Sequence, residues 1–156
     1  MAMSQPDANE APVLRLSRSF AAPRERVFRA FTVPAQLVKW WGPKGWTAPA
    51  CTLDARPGGA WRTVMRSPEG QDHVVSGVYR EVLPPERLVF TWAWDEEGGR
   101  GHETVVTIEL TETPGGTRLE LTQGPFESED RRDRHNQGWS SSLDCLDEAL
   151  AEGAIA

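Results

Sequence analysis

The sequence predicts an α+β domain: a curved, seven-stranded antiparallel sheet around one long C-terminal helix, with two short helices between the first two strands. Three observations carry this expectation. Between residues 46 and 123, short extended runs alternate with turn clusters at close spacing, the pattern of an antiparallel meander. Residues 128–150 carry one apolar stripe at helical spacing. Several of the extended runs are apolar on a single face, and such a face needs a cover, which the last segment supplies.

The elements follow in chain order. Val13 to Phe20 reads as a strand, with Leu14, Leu16 and Phe20 near one face. Pro23 stands where a helix accepts proline, at the first position, whose N–H has no intrahelical partner. Val27 and Phe31, four apart, bury one side of that helix, while Arg24, Arg26 and Arg29 stay in water. Pro34 stops it and starts a second, shorter helix that ends with Leu37, Trp40 and Trp41; Gly42 suits a left-handed exit.

Six extended runs come next, at 46–54, 59–66, 73–82, 87–94, 102–110 and 117–123. Gly or Pro punctuates each break, supplying a positive φ or a preset one: Pro57-Gly58-Gly59, Ser67-Pro68-Glu69-Gly70, Pro84-Pro85, the flexible 95–101 segment and Pro114-Gly115-Gly116. Leu88, Phe90, Trp92 and Trp94 share one face; Val106, Ile108 and Leu110 share another, matched by Leu119 and Leu121 across the next turn. Ser128 caps the final helix, and Glu129 and Asp130 suit its positive end. His135, Trp139, Leu143, Leu146 and Leu150 form its stripe, and Gly153 marks its exit.

Residues 1–12 read as a flexible polar tail and residues 13–156 as one domain. A core in a chain of 156 residues hides roughly 70% of the surface its unfolded chain exposes, so neither disulfide nor metal is required. Cys51 and Cys145 fit no metal spacing and no disulfide framework, and no cofactor is implied. A reducing cytoplasm is the expected compartment. The net charge of −6, with no basic stretch apart from acidic neighbours, argues against a nucleic-acid partner. No apolar run approaches the roughly 20 residues of a membrane span, and the first twelve residues lack the apolar centre of a secretory signal.

Seven tryptophans stand against one tyrosine. Each buried aromatic removes about 150–250 Å² from water, so these indoles build either a tryptophan-rich core or an aromatic pocket. The candidate ligand contacts are Trp40, Trp46, Trp61, Met65, Phe90, Trp92, Trp94, His135, Gly138 and Trp139. Trp61 and Met65 share a strand face opposite Arg62 and Arg66; the tryptophan face is the inward one, because charges are rarely buried unpaired. Trp40, Trp41 and Trp46 straddle Gly42-Pro43-Lys44-Gly45, which reads as a lid with an aromatic hinge or as indoles anchoring a short helix. Trp92 and Trp94 read as core or as the lining of an open end beside the 95–101 segment. Gly138 sits mid-helix, at a cost of about 1 kcal/mol relative to Ala. It either leaves room for a ligand beside His135 or lets the helix touch the sheet.

Catalytic constellations are mostly absent from the pattern. His102-Glu103 begins like a zinc-protease motif, but position 106 is Val. There is no Gly-x-Ser-x-Gly elbow and no phosphate-cradling glycine loop. Cys145 and His135 lie roughly 15 Å apart along one helix, too far for proton transfer. If a reaction is catalysed, His135 is the best acid or base, since an imidazole titrates near neutrality.

Four stretches together resemble a known family: RSFAAPRERVFRAFTVPAQLVKWWGP at 18–43, RPGGAWRTVMRSPEG at 56–70, GVYREVLPPERLVFTWAW at 77–94 and HNQGWSSSLDCLDEAL at 135–150. In order and spacing they resemble the START-like, or helix-grip (SRPBCC), superfamily, which includes polyketide cyclases. Within it, the chain looks most like the family named for the activator of heat-shock-protein-90 ATPase. The resemblance implies a cavity between the sheet, the last helix and the two short helices, holding an apolar or amphipathic molecule. It implies no universal cofactor and no shared catalytic residue. Members acting on the chaperone ATPase are eukaryotic proteins with an additional domain, for which this chain has no room. Three functions follow in order: non-catalytic binding of a small hydrophobic or aromatic ligand, a cyclase- or hydrolase-like enzyme using the same cavity, and a domain that grips a chaperone or another protein. A monomer or a homodimer suits each.

Overall fold

A computed structural model describes residues 11–153. The chain runs β1 (Leu14–Phe20), α1 (Arg24–Thr32), α2 (Pro34–Leu37), β2 (Thr47–Leu53), β3 (Ala60–Arg66), β4 (Asp72–Leu83), β5 (Arg87–Glu96), β6 (Gly99–Arg100), β7 (Thr104–Thr113), β8 (Gly116–Gly124) and α3 (Glu129–Ala151). Every pairing is antiparallel, in the order β1-β8-β7-β5-β4-β3-β2, with β6 paired to the end of β5. β1 and β2 are consecutive in the chain yet occupy opposite edges of the sheet. The α1–α2 connection must therefore cross the whole sheet, and it brings the segment after α2 over the inner face.

The seven expected strands and the long helix are present. Three details differ. The segment expected to be a flexible loop, 95–101, is a paired tip: Asp95 and Glu96 of β5 lie opposite Arg100 and Gly99 of β6. The turn is possible because Gly98 and Gly99 hold φ of 94° and 129°. The second short helix stops at Leu37 and not at Trp41, although the N–H groups of Trp40 and Trp41 still bond the Leu37 carbonyl. His102, expected inside a strand, precedes β7. Of the expected N-terminal tail, residues 1–10 lie outside the described residues; the Pro12 carbonyl accepts a bond from the Phe126 N–H at 2.9 Å.

α3 starts where its cap dictates. Ser128 is extended, with φ −158°, and its hydroxyl oxygen accepts from the Arg131 N–H at 3.1 Å. The helix buries Trp139, Ser142, Leu143, Leu146, Ala149 and Leu150. They meet Leu14, Val106, Ile108, Leu119 and Leu121 from the sheet in one continuous core. Each large apolar side chain so buried contributes roughly 1.5–3 kcal/mol. Arg18 of β1 clips the helix from outside, donating to Asp144 at 2.7 Å and to the Ser140 carbonyl at 3.2 Å.

Candidate functional site

At one end of this core the packing is incomplete. A cavity of about 210 Å³ opens between three walls. Met65 of β3 with Trp92 and Trp94 of β5 form the sheet wall; Trp41, Gly42, Pro43 and Trp46 form the loop wall. Arg134, His135, Gly138, Trp139 and Ser142 of α3 form the third. The period of two in β5 sets Trp92 and Trp94 on the face of Leu88 and Phe90, and the period of α3 sets Gly138 beside Trp139. A side chain begun at Gly138 would meet nothing within 4 Å. That glycine leaves space rather than permitting close approach to the sheet.

The indoles cluster around Trp41, which meets Trp40 and Trp139 edge to face at ring-centre distances of 5.4 and 5.6 Å and Trp92 at a tilt at 5.8 Å. Their N–H groups are individually accepted: Trp40 by the Ala30 carbonyl at 3.0 Å, Trp41 by the Thr63 hydroxyl at 2.9 Å and Trp61 by the Thr91 carbonyl at 3.0 Å. Trp139 donates to Gln123 Oε1 at 2.7 Å. Trp92 Nε1 is buried without an acceptor among the described residues.

The loop wall is fastened to the helix wall. Gly42 and Gly45 turn at φ of 100° and 91°, and between them the Lys44 N–H donates to the Ser141 hydroxyl at 2.8 Å. Lys44 Nζ lies 3.3 Å from Glu148, with both side chains more than half exposed. Of these two contacts the backbone bond is the stronger clasp, since exposed ion pairs contribute little.

His135 has both ring nitrogens engaged. Its Nε2 accepts from Trp94 Nε1–H at 3.0 Å, so the ring proton sits on Nδ1 and is donated to the Arg131 carbonyl at 2.9 Å. Burial, the largest influence, holds its pKa below the ordinary histidine value; the Arg131 carbonyl opposes that shift and the Arg131 charge reinforces it. The imidazole is therefore neutral near pH 7 and lacks a free lone pair. Burial raises both thiols as well, Cys51 to about 11. Among the described residues, no group of three or more His, Cys, Asp or Glu side chains is placed to hold a metal ion. No described helix is long and apolar enough to cross a membrane.

Of the ten candidate contacts, Trp46, Met65, Trp92, Trp94, His135, Gly138 and Trp139 line the cavity. Trp40, Trp61 and Phe90 do not. Trp40 is buried behind Trp41, against Phe31, while Trp61 and Phe90 pack with Tyr79 deeper in the core. Trp61 and Met65 point inward, and Arg62 and Arg66 outward. The residues that sequence reasoning missed are Trp41, Arg134 and Ser142 in the lining, and Gln123 behind it. Three of them carried a signal. Arg134 and Ser142 stand one helical turn either side of Gly138, and Gln123 continues the inward face of Leu119 and Leu121.

A curved antiparallel sheet gripping a terminal helix above a hollow defines a helix-grip domain of the START-like superfamily, a ligand-binding architecture. More narrowly, the chain belongs to the family of activator of Hsp90 ATPase homolog 1-like proteins, whose model matches residues 21–151. It is similar to the AHSA1 protein of Silicibacter pomeroyi, at 38% identity over 91% of this chain and 99% of that one, with a TM-score of 0.83. A Chromobacterium violaceum protein is 33% identical over 88% and 96% of the two chains, TM-score 0.79. A Nitrosomonas europaea protein is 32% identical over 91% and 96%, TM-score 0.77. No curated protein matches the chain.

Proposed function

We propose that this protein binds a small apolar or aromatic molecule in the cavity and does not transform it. The observation that carries this reading is the hollow of about 210 Å³ walled by Trp41, Trp92 and Trp139, with a bare glycine on its helix side. A cavity of roughly 150 Å³ in another protein suffices for benzene. At roughly 0.7 kcal/mol per heavy atom, a seven-carbon aromatic gains about 5 kcal/mol, a Kd near ~0.2 mM. Binding without chemistry is favoured over a cyclase-like reaction because His135 has both nitrogens committed and both thiols are held protonated.

Toluene titrated into 15N-labelled protein tests this. The indole N–H signals of Trp41, Trp92 and Trp139 are expected to shift with saturation, and that of Trp40 far less. Gly138→Leu, whose Cβ would meet nothing within 4 Å and whose longer side chain enters the hollow, is expected to stay folded and lose the response. Absence of saturable shifts in the native protein would overturn the proposal.

A further inference from the structure

We infer that the ligand is a small aromatic carboxylate, its ring over Gly138, its carboxylate at Arg134 and its far edge against the hydroxyl of Ser142; this rests on the binding reading above. Arg134, Gly138 and Ser142 recur at one-turn steps on one face of α3, and all three line the cavity. The two ends lie roughly 12 Å apart along the helix axis. They differ in depth: the Arg134 side chain is 73% exposed, whereas Ser142 is buried. The cavity therefore has a wet, cationic mouth, an apolar middle with no side chain on the helix side, and a hydroxyl at the bottom.

The chemistry of the unengaged groups points to acceptors on the ligand. Among the described residues lining the cavity, Arg134 is the one charged side chain; His135 is neutral and no carboxylate is present. Arg134 is paired with Asp130 at 3.1 Å, with both side chains more than two-thirds exposed. Such a pair is weak and exchanges readily for another carboxylate, which the planar guanidinium meets with two parallel bonds. The Ser142 hydroxyl lines the cavity and has no hydrogen-bond partner among the described residues. A cation and an idle hydroxyl fit an anion with a further polar edge. Indole walls also attract cations, but an ammonium ligand would meet Arg134 at the mouth and no anion in the lining.

Four ligands of similar size separate the cases: phenylacetate, 4-hydroxyphenylacetate, neutral 2-phenylethanol and cationic 2-phenylethylammonium, titrated at physiological salt with indole N–H shifts as readout. Phenylacetate is expected to bind about five- to tenfold tighter than 2-phenylethanol, a modest gain because the mouth is solvated. Arg134→Gln is expected to bring that ratio to within about twofold, chiefly by weakening phenylacetate. Ser142→Ala is expected to weaken 4-hydroxyphenylacetate more than phenylacetate. Equal affinities for acid and alcohol, tighter binding of the ammonium, or a ratio unaffected by Arg134→Gln would overturn the inference while toluene binding stands. If toluene and all four ligands fail, the binding reading itself falls.

Discussion

Nε1 of Trp139 donates to Oε1 of Gln123 at 2.7 Å, joining the cavity-facing helix to strand β8 in a region closed to water. The bond is one link in a buried relay. Gln123 Nε2 donates to the Thr104 hydroxyl at 2.9 Å, and that hydroxyl donates to the Trp92 carbonyl at 3.4 Å. α3, β8, β7 and β5 are thus tied behind the cavity by polar groups that satisfy one another, which holds the Trp139 ring upright at the wall.

Gln123→Leu removes the acceptor but nearly preserves the volume. The Trp139 N–H is then stranded in the core, and the expected loss is about 1–3 kcal/mol of folding stability. Urea denaturation measures it, and the Trp139 indole N–H signal should move as its acceptor disappears. An unchanged midpoint would mean that water reaches the indole.

The same substitution at two glycines has opposite consequences. Gly138→Ala enters open space in the middle of a helix and is expected to stabilise by about 0.5–1 kcal/mol. In Gly77→Ala the new carbon would sit 1.8 Å from the Thr91 carbonyl oxygen and 2.6 Å from Trp61 Nε1. Neither neighbour has room to retreat. Thr91 lies in central strand β5, and its carbonyl accepts the Trp61 N–H at 3.0 Å. Gly77→Ala is expected to cost more than about 4 kcal/mol and to yield little folded protein. Thermal unfolding of both variants beside the native chain decides the matter.

His135 makes stability depend on pH in a defined direction. Its folded pKa lies below the unfolded value of about 6.5, so between the two the unfolded chain binds more protons. The contribution is fully present above pH ~6.5 and is lost as pH falls toward the folded pKa. Protonation also places a hydrogen on Nε2, where Trp94 now donates. Native protein is expected to lose more stability than His135→Gln on going from pH 7 to pH 5, read from urea midpoints. Parallel profiles would show that the ring does not titrate with unfolding.

Much of the architecture was legible because it rests on local rules. The alternation in β5, the Ser128 cap and the helical stripe through Trp139 and Leu143 each depend on neighbours within a few residues. The same rules place Gln123 on the inward face of β8, beyond Leu119 and Leu121. A polar residue on that face was the signal for the relay.

The choice between Trp40 and Trp41 was not local. They are adjacent, and either could face the hollow. The Ala30 carbonyl of α1 takes the N–H of Trp40 and turns that ring into the core, leaving Trp41 to Thr63 and the cavity. Strand periods and helix caps, written in short-range sterics and hydrogen bonding, were set by the sequence alone. The hollow belongs to the tertiary structure. It is a shortfall of side-chain volume among Gly42, Met65, Trp92 and Gly138, which meet only after the sheet has closed on its helix.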